Sequence, residues 1–246
     1  MNKDIYIMLY EDNYCLVINK PAGVLVHELL GHKTHDTVAA WWLTQKDTTK
    51  ISWPVAGREG IVHRLDRDTS GALVLAKSPQ ALEYLQKQFH DRKTSKKYFA
   101  LVFGTPDKSA GKIESAVTRD SKNRVGRKST LIDFSGNAKK AVSKYRVLSV
   151  GEYHGQPISA IEFIILTGRT HQIRLHAKML GCPILGDRDY ATKLSRRLSN
   201  KLGIERQMLH AQELAFRSPE NKEIISVKAP LFEDMKHTIK ELGLNI

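Results

Sequence analysis

Cysteine is nearly missing from this sequence: only Cys15 and Cys182 occur, far apart and in no metal-type spacing. That excludes a disulfide scaffold and a zinc ribbon, and a reducing cytosol fits best. No apolar run approaches the ~20 residues that a membrane-spanning helix needs. The first dozen residues carry Asp4, Glu11 and Asp12, which spoils both a secretory signal and an amphipathic transit peptide. The expectation is therefore a cytoplasmic chain with no membrane partner. There is no Gly-rich phosphate loop, no repeat, no low-complexity tract and no linker rich in Gly, Pro or Ser, so residues 1–246 read as a single domain. Acidic residues are also in deficit, with 26 Asp and Glu against 39 Lys and Arg, a formal net charge of +13. A charge of that size predicts a polyanionic partner, nucleic acid first, and names no activity.

The most informative stretch is His63-Arg64-Leu65-Asp66-Arg67-Asp68-Thr69-Ser70-Gly71, followed by the aliphatic run Ala72–Ala76. Polar turn residues ending in Gly predict a tight loop, and the run after it a buried strand. A carboxylate thus sits at the mouth of a strand and among arginines. Asp repels phosphate, so its presence in a basic loop points to local ion pairs, each contributing at most ~1 kcal/mol when exposed, or to chemistry.

Other strands are predicted over Ile5–Tyr10, Tyr14–Lys20, Tyr98–Gly104, Ile113–Thr118, Ala141–Val150, Ile158–Leu166 and Ile224–Ala229, with a further one opening at Leu209-His210-Ala211. The Ile158–Leu166 run is nearly continuous and reads as central. A helix through Val38–Leu43 takes Asp36 or Thr37 as cap, and its paired tryptophans read as core. Ser78-Pro79 starts a second helix running to His90, with Ser as cap and Pro in the first turn. Thr170 is expected to cap a third, which places His171, Arg174, Leu175 and Lys178 on one cationic face. A short helix flanked by Lys193, Arg196, Arg197, Lys201 and Arg206 reads as an RNA-facing surface, and Leu231–Leu242 as a closing helix. His27 and His32 invite a zinc reading, but a spacing of five puts them about 140° apart on a helix, where metal ligation needs about 40°; no metal site is expected. Tyr98, taken alone, is a half-buried packing residue at the start of a strand.

His63-Arg64-Leu65-Asp66 with Thr69-Ser70-Gly71 resembles the active-site signature of the RluA-type pseudouridine synthases. The strings Leu16–Gly23 with Val26-His27, Lys97-Tyr98 with Ala100-Leu101-Val102, Thr167–His176 and Gly181–Asp187 resemble that family too, so the likeness runs from about Tyr14 to Ala229. The resemblance implies an α+β fold, with a mixed, largely antiparallel sheet, flanking helices and a basic cleft. It implies the catalytic domain alone, with no room for an N-terminal accessory RNA-binding domain. It places the catalytic residue on Asp66, its ion-pair partner on Arg174, and stacking on the base or proton relay on Tyr98. Arg64 would fill the space of a flipped nucleotide, with His63, Arg67 and Thr69 among the RNA contacts; Arg169 and His171 would touch phosphates or loops, and Leu175 would pack beside the site. The implied reaction isomerises uridine in RNA, ribosomal RNA first and transfer RNA second, in a monomer without cofactor. Two other classes remain: a non-catalytic RNA-binding or ribosome-assembly factor on the same scaffold, and a metal-dependent nuclease using Asp66 and Asp68.

Overall fold

The computed structural model describes residues 6–28, 36–45, 50–119, 129–132 and 139–246. Ile5, His32 of the zinc reading, residues 46–49 and the basic stretch 120–128 lie outside them. Along the chain run β1 (Ile7–Glu11), β2 (Cys15–Lys20), α1 (Val38–Trp42), β3 (Ser70–Ala76), α2 (Pro79–His90), β4 (Ser95–Phe103), β5 (Ala110–Arg119) and β6 (Ser129–Ile132). There follow β7 (Lys139–Tyr153), β8 (Gln156–Ile165), α3 (Gln172–Met179), α4 (Lys193–Lys201), β9 (Leu209–Arg217), β10 (Ile224–Lys228) and α5 (Glu233–Glu241). No helix among the described residues is long and apolar enough to cross a membrane.

The chain forms two compact units, one of residues 1–96 with 211–230 and one of residues 97–210 with 231–246. In the first, strands lie in the order β1-β2-β3-β9, with β10 on β9. Every residue of β2 and of β3 is buried, as expected of continuous apolar runs covered on both faces. Ala72, Val74 and Ala76 of β3 meet Ala81, Leu82 and Leu85 of α2, together with Val17, Leu214 and Phe216. The helix starts as the sequence predicts, Ser78 accepting from Ala81 N–H with Pro79 in the first turn. Thr37 caps α1 in the same way, and Trp41 and Trp42 are buried.

Gly71 fixes where β3 passes its neighbour. Its φ is +119°, and a Cβ there would fall 2.3 Å from the Ala211 carbonyl oxygen and 2.5 Å from its nitrogen. Both backbone conformation and space demand glycine. Gly71→Ala is expected to cost several kcal/mol, the range of strain plus overpacking, read as a lower urea midpoint; an unchanged midpoint would mean that the strand edge can move aside.

In the second unit the order is β4-β8-β7-β5-β6, so β8 is interior, as its apolar run predicts. Each ladder here is antiparallel, and the fold is α+β with a largely antiparallel sheet. β7 extends to Tyr153, beyond the predicted Val150, because His154 and Gly155 both take positive φ and close a two-residue hairpin onto Gln156. That is the turn geometry whose twist matches paired strands.

Candidate active site

In the first unit the His63–Gly71 loop is tied down around Asp66. Lys20, at the end of β2, is fully buried. Its ammonium donates to the carbonyls of Pro21 (2.6 Å), Val24 (3.0 Å) and Arg67 (3.0 Å). Gly23 N–H donates to the Arg67 carbonyl, and Arg67 Nε donates back to the Gly23 carbonyl, both at 3.0 Å. Thr69 N–H closes a turn on the Asp66 carbonyl at 3.1 Å. A buried ammonium is tolerable only where oxygens replace water, and here those oxygens belong to the loop and to the Pro21–Val24 turn, which it thereby joins. Leu65, Thr69 and Ser70 are buried, Asp66 is half-buried and Arg64 is exposed.

His63 is built into the framework of this loop. Its Nε2 accepts from Val74 N–H at 3.2 Å, so the neutral ring carries its proton on Nδ1. The ring stacks on Phe89 at 4.4 Å between centroids, and Lys96 Nζ lies 5.3 Å from the centre of the same Phe89 ring. Burial, with a smaller contribution from Lys96, pushes the His63 pKa down to about 3.

In the second unit the Thr167–His176 stretch departs from the predicted cap. The residue before α3 is His171, in the left-handed conformation at φ 56° and without a side-chain cap bond. The first helical N–H, that of Gln172, donates to the Arg169 carbonyl at 3.1 Å, and the Gln172 side chain ties down the turn before the helix. Its Oε1 accepts from Arg169 N–H and from the Thr167 hydroxyl, while its Nε2 donates to the Val142 carbonyl and Ser143 Oγ. Thr167 Oγ1 accepts in turn from Val142 N–H. His176, fully buried, lies 2.9 Å from Ser143 Oγ through Nδ1 and 2.9 Å from Ser115 Oγ through Nε2. This satisfied network fixes α3 against β5 and β7.

That helix carries Arg174, and the predicted cationic face is not an open one: Arg174 is 5% exposed. Its Nε and Nη2 donate to the two oxygens of Asp187 at 2.7 and 2.8 Å, a bidentate pair, and Nη2 also donates to Asp189 Oδ2 at 2.8 Å. Asp187 Oδ1 accepts from the backbone N–H of Asp189 and Tyr190 as well. The guanidinium carbon lies 5.0 Å from the Tyr190 ring centre, and the Tyr190 hydroxyl is 2.9 Å from His171 Nδ1. A planar cation held by a fork and a ring face has one orientation. Leu175 packs with Val117, Ala141 and Tyr190. Arg169 donates through Nε to the Lys140 carbonyl. Tyr98 is buried on β4, in register with Phe163 of β8.

Sequence reasoning missed Lys20, Gln172, Asp189 and Tyr190 as parts of the site, and took Asp187 only as the end of a motif. A signal existed for the last three: Asp187 and Asp189 are acids in a basic chain, two residues apart and followed at once by an aromatic.

Burial pushes the His176 pKa down to about 4. Above the unfolded value of 6.5, His63 and His176 are neutral in both states and pH has no leverage. Below it the unfolded chain takes up protons that the fold refuses, so stability falls, by up to about tenfold in the folding constant per pH unit per histidine. The loss is expected to run from pH 6.5 to about 4 for His176 and to about 3 for His63. Urea midpoints across that range check it, and His176→Gln should flatten the slope by one proton; an unaltered slope would assign the proton uptake to other groups.

The pattern of a family described as RNA pseudouridylate synthase matches residues 13–179. An uncharacterized RNA pseudouridine synthase of Bacillus subtilis is 37% identical over 245 residues, covering 100% of this chain and 74% of that protein. The ribosomal large subunit pseudouridine synthase D of Borreliella burgdorferi is 41% identical over 209 residues, 84% of this chain and 60% of that protein. Human RNA pseudouridylate synthase domain containing 4 superposes with a TM-score of 0.74 at 27% identity, over 97% of this chain and 94% of that one.

Proposed function

Because this chain belongs to the RNA pseudouridylate synthase family, isomerases acting on RNA, we propose that it converts a uridine of ribosomal RNA to pseudouridine with Asp66 as nucleophile. The family match takes in sequence of both units, which supports reading them as parts of one catalytic domain. The reaction breaks the bond between N1 and the ribose C1′, turns the base, joins C5 to C1′ and moves the C5 proton away while N1 gains one. Composition is unchanged, so no oxidant or nucleotide is consumed. The Asp66 carboxylate adds to the electron-poor sugar carbon or to the base. Arg174 pairs with it and keeps it charged in a site that excludes water, where desolvation alone would favour the neutral acid. Tyr98 stacks on the uracil or relays the C5 proton. Arg64 takes the place of the everted nucleotide, with His63, Arg67, Thr69, Arg169 and His171 around the RNA and Leu175 beside Arg174.

The observation that carries this reading is the state of Arg174, a guanidinium almost wholly buried and held in a single orientation by Asp187 and Asp189. A residue that only touched RNA backbone would gain nothing from that confinement. Ribosomal RNA is preferred because relatives such as the Borreliella protein are named for the ribosomal large subunit, and we place the chain in the cytoplasm on the same ground. Incubating the pure protein with unmodified ribosomal and transfer RNA labelled at uridine C5, in the presence of a chelator, tests it. Expected is label release equal to the pseudouridine mapped, with ribosomal RNA intact. Binding without release would favour the assembly-factor class, chelator-sensitive scission the nuclease class, and release from transfer RNA alone would move the substrate.

Tyr98→Phe separates ring from hydroxyl. If the phenol relays the proton, kcat should fall by about 10²-fold or more with little change in KM; full activity would leave stacking as its task.

A further inference from the structure

We propose that the cleft between the Gly186-Asp187-Arg188 turn and the C-terminal half of α4 is a subsite for a backbone phosphate of the RNA, gripped by Arg188 and Arg196. The inference rests on the RNA-modifying reading above for the identity of its occupant. The cleft has a volume of about 360 Å³ and is lined by Arg188, Arg196, Ser199, Asn200, Ile204 and Glu205 among others. Its walls are fixed by local necessity. Gly186 has φ +73°, and a Cβ there would lie 1.9 Å from the Arg206 carbonyl oxygen, so only glycine lets the turn pass that close. Gly186 N–H donates to Ser199 Oγ at 2.9 Å, pinning the turn to α4.

Two guanidiniums line this cleft, and among the described residues most of their donors are uncommitted to protein oxygens. Arg188 donates through Nη2 to the Glu205 carbonyl at 2.9 Å, and Arg196 through Nη2 to the Arg188 carbonyl at 3.5 Å. Each is thus anchored at one corner by a neutral oxygen. Among the described residues neither is in an ion pair, whereas Arg146, Arg174 and Arg206 each hold a carboxylate. Two negative features of the wall are already spent. Asp187 turns both its oxygens to Arg174, and the last carbonyls of α4 accept from the N–H groups of Leu202, Gly203 and Ile204, which blunts the negative end of the helix. Glu205 is exposed and gives its carbonyl to Arg188. What remains is a fork of N–H donors with an excess of positive charge, the arrangement that recognises a phosphodiester.

Arg188→Gln and Arg196→Gln, singly and together, test it, since both side chains are exposed and neither change disturbs a core. For ribosomal RNA the double variant should raise KM about tenfold, keep kcat within about twofold, and flatten the slope of log affinity against log salt by about 1. Replacing both by lysine should restore the slope, and Lys236→Gln, an exposed cation paired with Glu233, should leave it alone. An unchanged KM and slope in the double variant would overturn the subsite. So would a fall in kcat at constant KM, which would mean that the turn acts only through the Arg174 clamp. If inorganic phosphate raises the melting temperature of the wild type but not of the double variant, while both bind RNA alike, the cleft takes a free anion and the RNA assignment fails. Because the salt slope is read without turnover, a wild type that binds RNA but releases no C5 label would refute the proposed activity and leave the subsite measurable.

Discussion

Asp66→Asn is expected to bind ribosomal RNA with close to wild-type affinity and to form no pseudouridine, a loss in kcat of at least ~10⁴-fold, the order seen when a nucleophile is removed. The substitution is nearly isosteric. Among the bonds that hold its loop are the Lys20 ammonium to the Arg67 carbonyl, the reciprocal Gly23–Arg67 pair, and Thr69 N–H to the Asp66 carbonyl. These bonds do not use the Asp66 carboxylate, so they survive in the variant, and its melting temperature, measured beside turnover, separates lost chemistry from lost structure. Residual turnover close to wild type, with a normal melting temperature, would remove Asp66 from the mechanism.

Arg174→Lys comes second in size. The ammonium keeps the charge and loses the fork. Nε and Nη2 now reach Asp187, and Nη2 also reaches Asp189, whereas a lysine can offer only a point charge on a shorter reach. Asp187, whose side chain has no exposed surface, would keep part of its solvation at best. Complete removal of one partner from a buried pair costs ~3–5 kcal/mol, and the retained charge should place Arg174→Lys below that range. The expected result is a drop in kcat of about 10²- to 10³-fold, with a modest fall in melting temperature. Asp187→Asn should follow the same direction, since it weakens the fork from the other side and leaves Arg174 held by Asp189 and the Tyr190 ring. An Arg174→Lys enzyme of normal kcat would show that Arg174 does not pair with Asp66.

Local order was largely written in the sequence. Ser78 and Thr37 cap the helices that their patterns announce, β3 is as buried as its aliphatic run implies, and β8 is interior as expected. Propensity and periodicity act over four or five residues, and within that range they were reliable guides. The start of α3 escaped because the turn before it is closed by the Gln172 side chain on Arg169 N–H, with His171 left-handed and no side chain as cap. The acidic partners that hold Arg174 escaped for a different reason. Its partners lie 13 and 15 positions further on, beyond any helical spacing, and only the fold of the Gly186–Tyr190 turn brings them back. Lys20 shows the same limit: a cation at the end of a strand reads as solvated, and the carbonyls of Pro21, Val24 and Arg67 that it meets are visible only once the Arg67 loop has closed over it.

The most direct test of the chemistry assigned to Asp66 and Arg174 is single-turnover release of C5 label from ribosomal RNA, with enzyme in saturating excess so that binding is not limiting. Wild type should release one label per modified uridine; Asp66→Asn should release none and Arg174→Lys should be slowed by orders of magnitude, though both saturate the RNA at the wild-type concentration. A chemical step of wild-type rate in either variant would contradict the pairing of those two side chains as the source of catalysis.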